Sequence, residues 1–219
     1  MTKAEARQRI EEAGIIPAVR LSSAEDALFA AEAVASGGIP IVEVTMTVPG
    51  ALRVIQELTR QNPHMIVGAG TVLELETAHR CIDGGAAFIT SPGLDINIVE
   101  CALKRDVLAF PGALTPTEVI AAWKAGSDFV KIFPCVQVGG PAYIKALKGP
   151  LPQVPVIAAG GVTQQTIADF ILAGAAAVGI GANLIAPDAI HSREPDWIRH
   201  LAQRFTKLVK GARQATRSE

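Results

Sequence analysis

The chain has 219 residues, 49% of them hydrophobic and 19% charged, with a formal net charge of −1. That length and composition bury a substantial core and exclude a disordered chain. Near-neutrality excludes the dense cationic face that nucleic acid or an anionic membrane surface demands. Cys81, Cys101 and Cys135 are odd in number, far apart and outside any CxxC pattern, so they read as reduced thiols of a cytoplasmic protein.

The chain opens on MTKAEARQRIEEAG, a charged amphipathic helix without the apolar stretch of a signal peptide. No later stretch is apolar for long enough to span a membrane. IIPAVR (15–20) is the first candidate strand, and SSAE (22–25) reads as a capping box opening the next helix. The pattern then repeats. SGGIPIVEVT, DGGAAFITS, KAGSDFVKIF and LAGAAAVGIG are each a helix end, a glycine and a strand, anchored on Gly38, Gly85, Gly126 and Gly174. Each interval leaves room for one more strand and helix, and residues 15–20, 65–69, 107–110 and 154–158 supply the strands. TPTE (115–118) caps a helix with Pro116 at its first position. Eight βα units imply a parallel sheet closed into an α/β, single (β/α)8 TIM barrel with an N-terminal helix. The rival open doubly wound sheet lacks its GxGxxG fingerprint after the first strand. The expected domain covers residues 1–211, with a disordered tail over 212–219, where GARQATRSE has little to bury.

The four junctions set a register. Five positions beyond the anchoring glycines stand Glu43, Thr90, Lys131 and Gly179, which strand alternation turns toward the same side at similar depth. In the strand Ile41–Thr47 the odd positions Glu43, Thr45 and Thr47 face inward. In FVKIFP, Phe129, Lys131 and Phe133 do so. Glu43 and Lys131 then meet from strands four apart in an otherwise apolar interior. An ordinary strand lysine snorkels to water, and a buried Lys–Glu pair is sometimes only structural. Here apolar cover continues past the lysine, and two hydroxyls follow the glutamate at the end of the barrel where active sites sit. An amine nucleophile works as its free base, the form that burial favours.

AAGGVT (158–163) and GIGANL (179–184) place Gly160, Gly161, Gly181 and Ala182 in the turns after strands seven and eight, a common phosphate site of this architecture. Thr163 is the expected cap of the helix that follows. VGG (138–140) is a weaker candidate of the same kind. The alternative is that these glycines only turn the chain. His64, His79, His191 and His200 form no cluster with metal-ligand spacing, so neither metal nor other cofactor is expected. No nucleophile elbow appears, and Cys135 reads as a packed thiol.

GIPIVEVTMTVPGA, VGAGTV, FITSPGLD, FPGALTPTE, FVKIFP, YIKALKGPLP and AAGGV together resemble the 2-keto-3-deoxy-6-phosphogluconate (KDPG) and 4-hydroxy-2-oxoglutarate (KHG) aldolases, across about residues 10–210. The resemblance implies a homotrimeric barrel that cleaves a 2-keto-3-deoxy-6-phospho-sugar acid or 4-hydroxy-2-oxoglutarate to pyruvate and an aldehyde. Lys131 would form the Schiff base and Glu43 act as general acid/base. Arg20, Thr71 and the backbone near Ser91–Pro92 would hold the carboxylate, and Phe133 would wall the pyruvate methyl. Three positions depart from the family pattern: Thr47 stands where many members carry a carboxylate-holding arginine, Ala159 where they carry threonine or valine, and Ala182 where a serine helps hold phosphate. Two other readings of the same residues are a phosphate-binding-barrel epimerase or decarboxylase without a covalent intermediate, and a non-catalytic keto-acid binder.

Overall fold

The computed structural model describes residues 1–217. In chain order the elements are α1 (Lys3–Ala13), β1 (Ile15–Val19), α2 (Ala24–Ser36), β2 (Ile41–Thr45), α3 (Ala51–Gln61), β3 (Ile66–Gly70), α4 (Leu75–Asp83), β4 (Phe88–Thr90) and α5 (Ile96–Lys104). Then come β5 (Leu108–Phe110), β6 (Gly112–Ala113), α6 (Pro116–Lys124), β7 (Val130–Ile132), α7 (Pro141–Lys148), β8 (Val156–Ala159), α8 (Ile167–Leu172), β9 (Ala177–Ile180), α9 (Pro187–His191) and α10 (Pro195–Arg217). A short 3-10 turn, Val136–Val138, lies between β7 and α7.

Every strand pair is parallel, in the order β5-β4-β3-β2-β1-β9-β8-β7-β6. The two ends of that order, β5 and β6, are consecutive pieces of one extended stretch interrupted at the buried Pro111. The sheet therefore closes on its own fifth strand, and the architecture is the α/β barrel of eight positions that the repeat implied. A proline has no N–H to give the ladder. Its carbonyl still accepts from the Lys131 N–H at 2.9 Å, which ties β7 to the break. The anchoring glycines Gly38, Gly85, Gly126 and Gly174 all take positive φ, between 89° and 100°, a shared left-handed turn from helix into strand.

The lower end of the barrel is filled and covered. Phe88 and Phe110 stack at 5.0 Å and Phe129 meets Phe110 edge-on at 5.1 Å, all three fully buried. Gly68 of β3 makes the space: a methyl there would lie 2.2 Å from the Phe88 ring. Below this floor α1 closes the end. Its Thr2–Glu5 capping box starts the helix, Arg7 sits 5.5 Å over Phe129, and Lys3 pairs with Asp128 at 3.0 Å. Asp128 also accepts the Ala109 N–H at 2.9 Å, so this buried carboxylate is doubly satisfied.

Three sequence expectations shift, and one holds. The cap of α2 is Ser23, which accepts from the Asp26 N–H, one residue later than SSAE suggested. The predicted box at Thr115–Glu118 forms as read. Thr163 does not cap α8; it accepts from the N–H groups of Thr166 and Ile167 in a turn that delays the helix to Ile167. The tail expected from 212 is helical as far as Arg217, because Ala212 packs into the core and Arg213 donates to the carbonyls of Glu12 and Ala176. The last two positions of that expectation, 218–219, lie outside the described residues.

Candidate active site

The upper half of the barrel carries the polar groups. Glu43, in the middle of β2, is 4% exposed, and its flanking residues Val42 and Val44 are buried on the opposite face of the strand. Lys131, in the middle of β7, stands between the buried Val130 and Ile132. The Lys131 Nζ lies 3.4 Å from both Glu43 carboxylate oxygens, with side-chain exposures of 13% and 6%. The pair bridges the barrel between two strands that share no ladder bond.

Space for the carboxylate comes from a residue the sequence reading passed over. A methyl on Gly70 would fall 2.1 Å from Glu43 Oε1 and 2.5 Å from its Cγ. Gly68 and Gly70 share one face of β3, the first accommodating Phe88 and the second Glu43. The signal was present in IVGAG, where two glycines alternate in a strand that otherwise reads as apolar. Thr90, which the register places in the layer of Glu43 and Lys131 but to which the sequence assigned no role, is 1% exposed, and its hydroxyl has no hydrogen-bond partner among the described residues.

The other expected residues gather around this pair with differing closeness. Phe133 places its ring 5.8 Å from Lys131 Nζ. Pro92 abuts Gly112, which is the register partner of Lys131; a methyl on Gly112 would collide with the Pro92 carbonyl at 2.1 Å. Ser91 holds this corner by donating to the Gly93 carbonyl. Thr45 is fully buried and its Oγ1 bonds to the Val19 carbonyl at 3.0 Å and to Thr47 Oγ1 at 2.7 Å. Arg20, exposed at the end of β1, reaches past β2 and donates to Thr71 Oγ1 at 3.2 Å. Thr71 holds φ at 57°, a left-handed conformation unfavourable for a β-branched residue.

Gly160 and Gly161 follow β8 with φ of 91° and 89°. Gly160 packs under Phe133 and Pro134, and Gly161 under Val136, so both glycines border the loop that follows Lys131. Gly181 and Ala182 lie in the turn after β9, where the Asn183 side chain donates to the Val162 carbonyl. Cys135 is buried, its thiol pushed up to about 11 by burial, the profile of a packed residue. Among the described residues no group of three or more histidine, cysteine, aspartate or glutamate side chains is placed to hold a metal ion, and no helix is long and apolar enough to cross a membrane. An open groove of about 810 Å³ lined by Leu52, Arg53, Gln56, Thr77 and Arg80 lies outside the barrel and includes neither member of the Lys–Glu pair.

An amine beside a carboxylate, above an aromatic floor and below a rim of hydroxyls and one arginine, suits carbonyl chemistry through an imine. Comparison with known proteins agrees. The family model described as KDPG and KHG aldolase matches residues 6–201. The 2-dehydro-3-deoxy-phosphogluconate aldolase of Pseudomonas aeruginosa is 34% identical over 186 residues, covering 85% of this chain and 84% of that one. The KDPG aldolase of Legionella pneumophila, solved with pyruvate captured as a covalent carbinolamine, superposes with a TM-score of 0.84 at 29% identity, covering 90% of this chain and 96% of that one. A native KDPGal structure gives a TM-score of 0.84 at 31% identity, covering 91% and 96%. The chain belongs to the KDPG and KHG aldolase family and is a lyase.

Proposed function

We propose that this protein is a class I aldolase that cleaves a 2-keto-3-deoxy-6-phospho-sugar acid or 4-hydroxy-2-oxoglutarate through a Schiff base on Lys131. The observation that carries the reading is the buried contact of 3.4 Å between Lys131 Nζ and both oxygens of Glu43. A proton passed from the lysine to the glutamate leaves a neutral amine facing the substrate. The amine adds to the C2 carbonyl, and Glu43 returns a proton to the carbinolamine hydroxyl so that water leaves and a protonated imine forms. Glu43 then takes the C4 hydroxyl proton. The electrons of the C3–C4 bond flow into the imine, the aldehyde departs, and an enamine of pyruvate remains on Lys131. Protonation at C3 and hydrolysis release pyruvate and restore the amine.

In this scheme Arg20 and Thr71 hold the carboxylate, with Pro92 shaping that end of the pocket through its packing on Gly112. Phe133 walls the methyl of bound pyruvate. Thr45 braces the rim, and the backbone of Gly160, Gly161, Gly181 and Ala182 borders the distal end of the substrate. A homotrimer in the cytoplasm is the assembly and location that go with the family resemblance, and light scattering of the purified protein tests the first.

Borohydride reduction in the presence of pyruvate, followed by intact-mass and peptide mapping, tests the reading. A stable adduct on Lys131, absent in Lys131→Ala together with aldol cleavage, is the expected result. A folded protein that forms no adduct, or a Lys131→Ala variant that keeps substantial cleavage, would return the pair to a structural role and the chain to the non-covalent alternatives.

A further inference from the structure

Schiff-base chemistry at Lys131 takes from Glu43 the partner that holds it. In the free enzyme one nitrogen lies 3.4 Å from both carboxylate oxygens, and an ammonium has three N–H groups to serve them. A protonated imine on the same nitrogen keeps one. At least one oxygen of a carboxylate that is 4% exposed then needs another donor, because a buried charge short of hydrogen bonds is costly.

Three of the buried hydroxyls cannot be that donor. Thr45 is bonded to the Val19 carbonyl and Ser91 to the Gly93 carbonyl, while Ser127 precedes Asp128 at the end closed by α1. Thr90 remains, buried and without a hydrogen-bond partner among the described residues. Its place favours the contact. Phe88, two residues earlier on β4, packs its ring against Gly68 and Phe110 in the floor, so Thr90 faces the interior one layer higher. The β3–β4 ladder pairs Gly68 with Phe88 and Ala69 with Ile89, and beyond them the Val72 N–H donates to the Thr90 carbonyl. The next rung sets Thr90 beside Gly70, about 4.8 Å away at the spacing of adjacent strands. Glu43 Oε1 already lies over Gly70, which has no side chain to come between them.

We propose that Thr90 is a positioning residue that donates its hydroxyl proton to the Glu43 carboxylate once Lys131 is committed to the imine, holding the base in place for cleavage of the C3–C4 bond. The proposal rests on the Schiff-base reading of Lys131 and deepens it. The test compares the parent, Thr90→Val and Thr90→Ser enzymes. Each is assayed for cleavage of 2-keto-3-deoxy-6-phosphogluconate or 4-hydroxy-2-oxoglutarate, whichever the parent turns over faster, and for thermal unfolding. Thr90→Val keeps the shape and removes the donor.

A hydrogen bond to a charged group predicts kcat and kcat/KM each lowered about 10-fold in Thr90→Val with KM unchanged, since the contact forms only after substrate has joined Lys131. The same variant should melt at or above the parent temperature, because a methyl in place of an unpartnered buried hydroxyl relieves its desolvation. Thr90→Ser, which keeps the proton, should stay within about threefold of the parent kcat. A fall in kcat matched by a fall in Tm marks a merely structural residue and overturns the proposal. So does a Thr90→Val kcat within about threefold of the parent, a KM that rises while kcat holds, or a Thr90→Ser enzyme as slow as Thr90→Val. Borohydride trapping of pyruvate separates the two levels. Adduct in the parent with kcat indifferent to Thr90→Val sinks the role of Thr90 alone, whereas absence of adduct in the parent sinks the reading beneath it.

Discussion

Gly70→Ala is the substitution that tests the site most sharply, because the three atoms nearest the added methyl all belong to the group argued to move protons. The added methyl would lie 2.1 Å from Glu43 Oε1, 2.5 Å from Cγ and 2.6 Å from Cδ. These atoms are the flexible end of a side chain, so the carboxylate yields rather than the strand. It must retreat by more than about 1 Å, the scale of displacement that costs about 100-fold in rate when a catalytic group is misplaced. Overpacking adds a stability cost of about 1–3 kcal/mol, which a folded barrel of this size tolerates. The assay is cleavage of the aldol substrate with pyruvate release followed continuously, alongside thermal unfolding. The expected outcome is a kcat lowered about 100-fold in a protein that still melts cooperatively. The cycle with Glu43→Ala sharpens the point: once the carboxylate is gone, Gly70→Ala should add almost nothing to the loss. A Gly70→Ala enzyme with kcat within about threefold of the parent would refute the role of this glycine and weaken that of Glu43.

Two further outcomes follow from the packing. Phe129→Ala empties the centre of the aromatic floor and should cost about 3–5 kcal/mol in urea unfolding; a loss below about 1 kcal/mol would mean that α1 and Arg7 close the barrel without it. Burial raises the thiols of Cys81 and Cys135 from 9.0 to about 11, and the sign of the linkage follows. The unfolded chain loses these protons first, so their contribution to stability is complete below about pH 9 and is lost as the pH rises toward 11. Both thiols should resist iodoacetamide at pH 8 until the chain is denatured; alkylation of native protein at the unfolded rate would contradict their burial.

The barrel was legible because its repeat is local. A glycine with positive φ ends each of four helices, and the strand that follows begins at a fixed distance, so Glu43 and Lys131 could be assigned to one layer by counting. What escaped was whatever depends on partners far along the chain. Gly70 reads as an ordinary weak strand residue until Glu43 occupies the space beside it. The break at Pro111 is invisible because Leu108–Ala113 is apolar throughout, and only the closure of the sheet assigns its two halves to different neighbours. The C-terminal residues looked too polar to fold. Arg213 is held by the carbonyls of Glu12 and Ala176, a contact no periodicity in GARQATRSE could announce.

The closed lower end has a consequence for traffic. Among the described residues α1 and three phenylalanines fill one end, and Lys131 lies toward the rim bearing Arg20, Thr47 and Thr71. Whatever is bonded to Lys131 lies deeper than the fragment cut from it. On the Schiff-base reading the aldehyde leaves before pyruvate is hydrolysed and follows it out, and synthesis loads in the reverse order. Such a queue has a kinetic signature: pyruvate competes with the substrate for the free enzyme, while the aldehyde inhibits noncompetitively. A barrel open at both ends would show no such rank among its products.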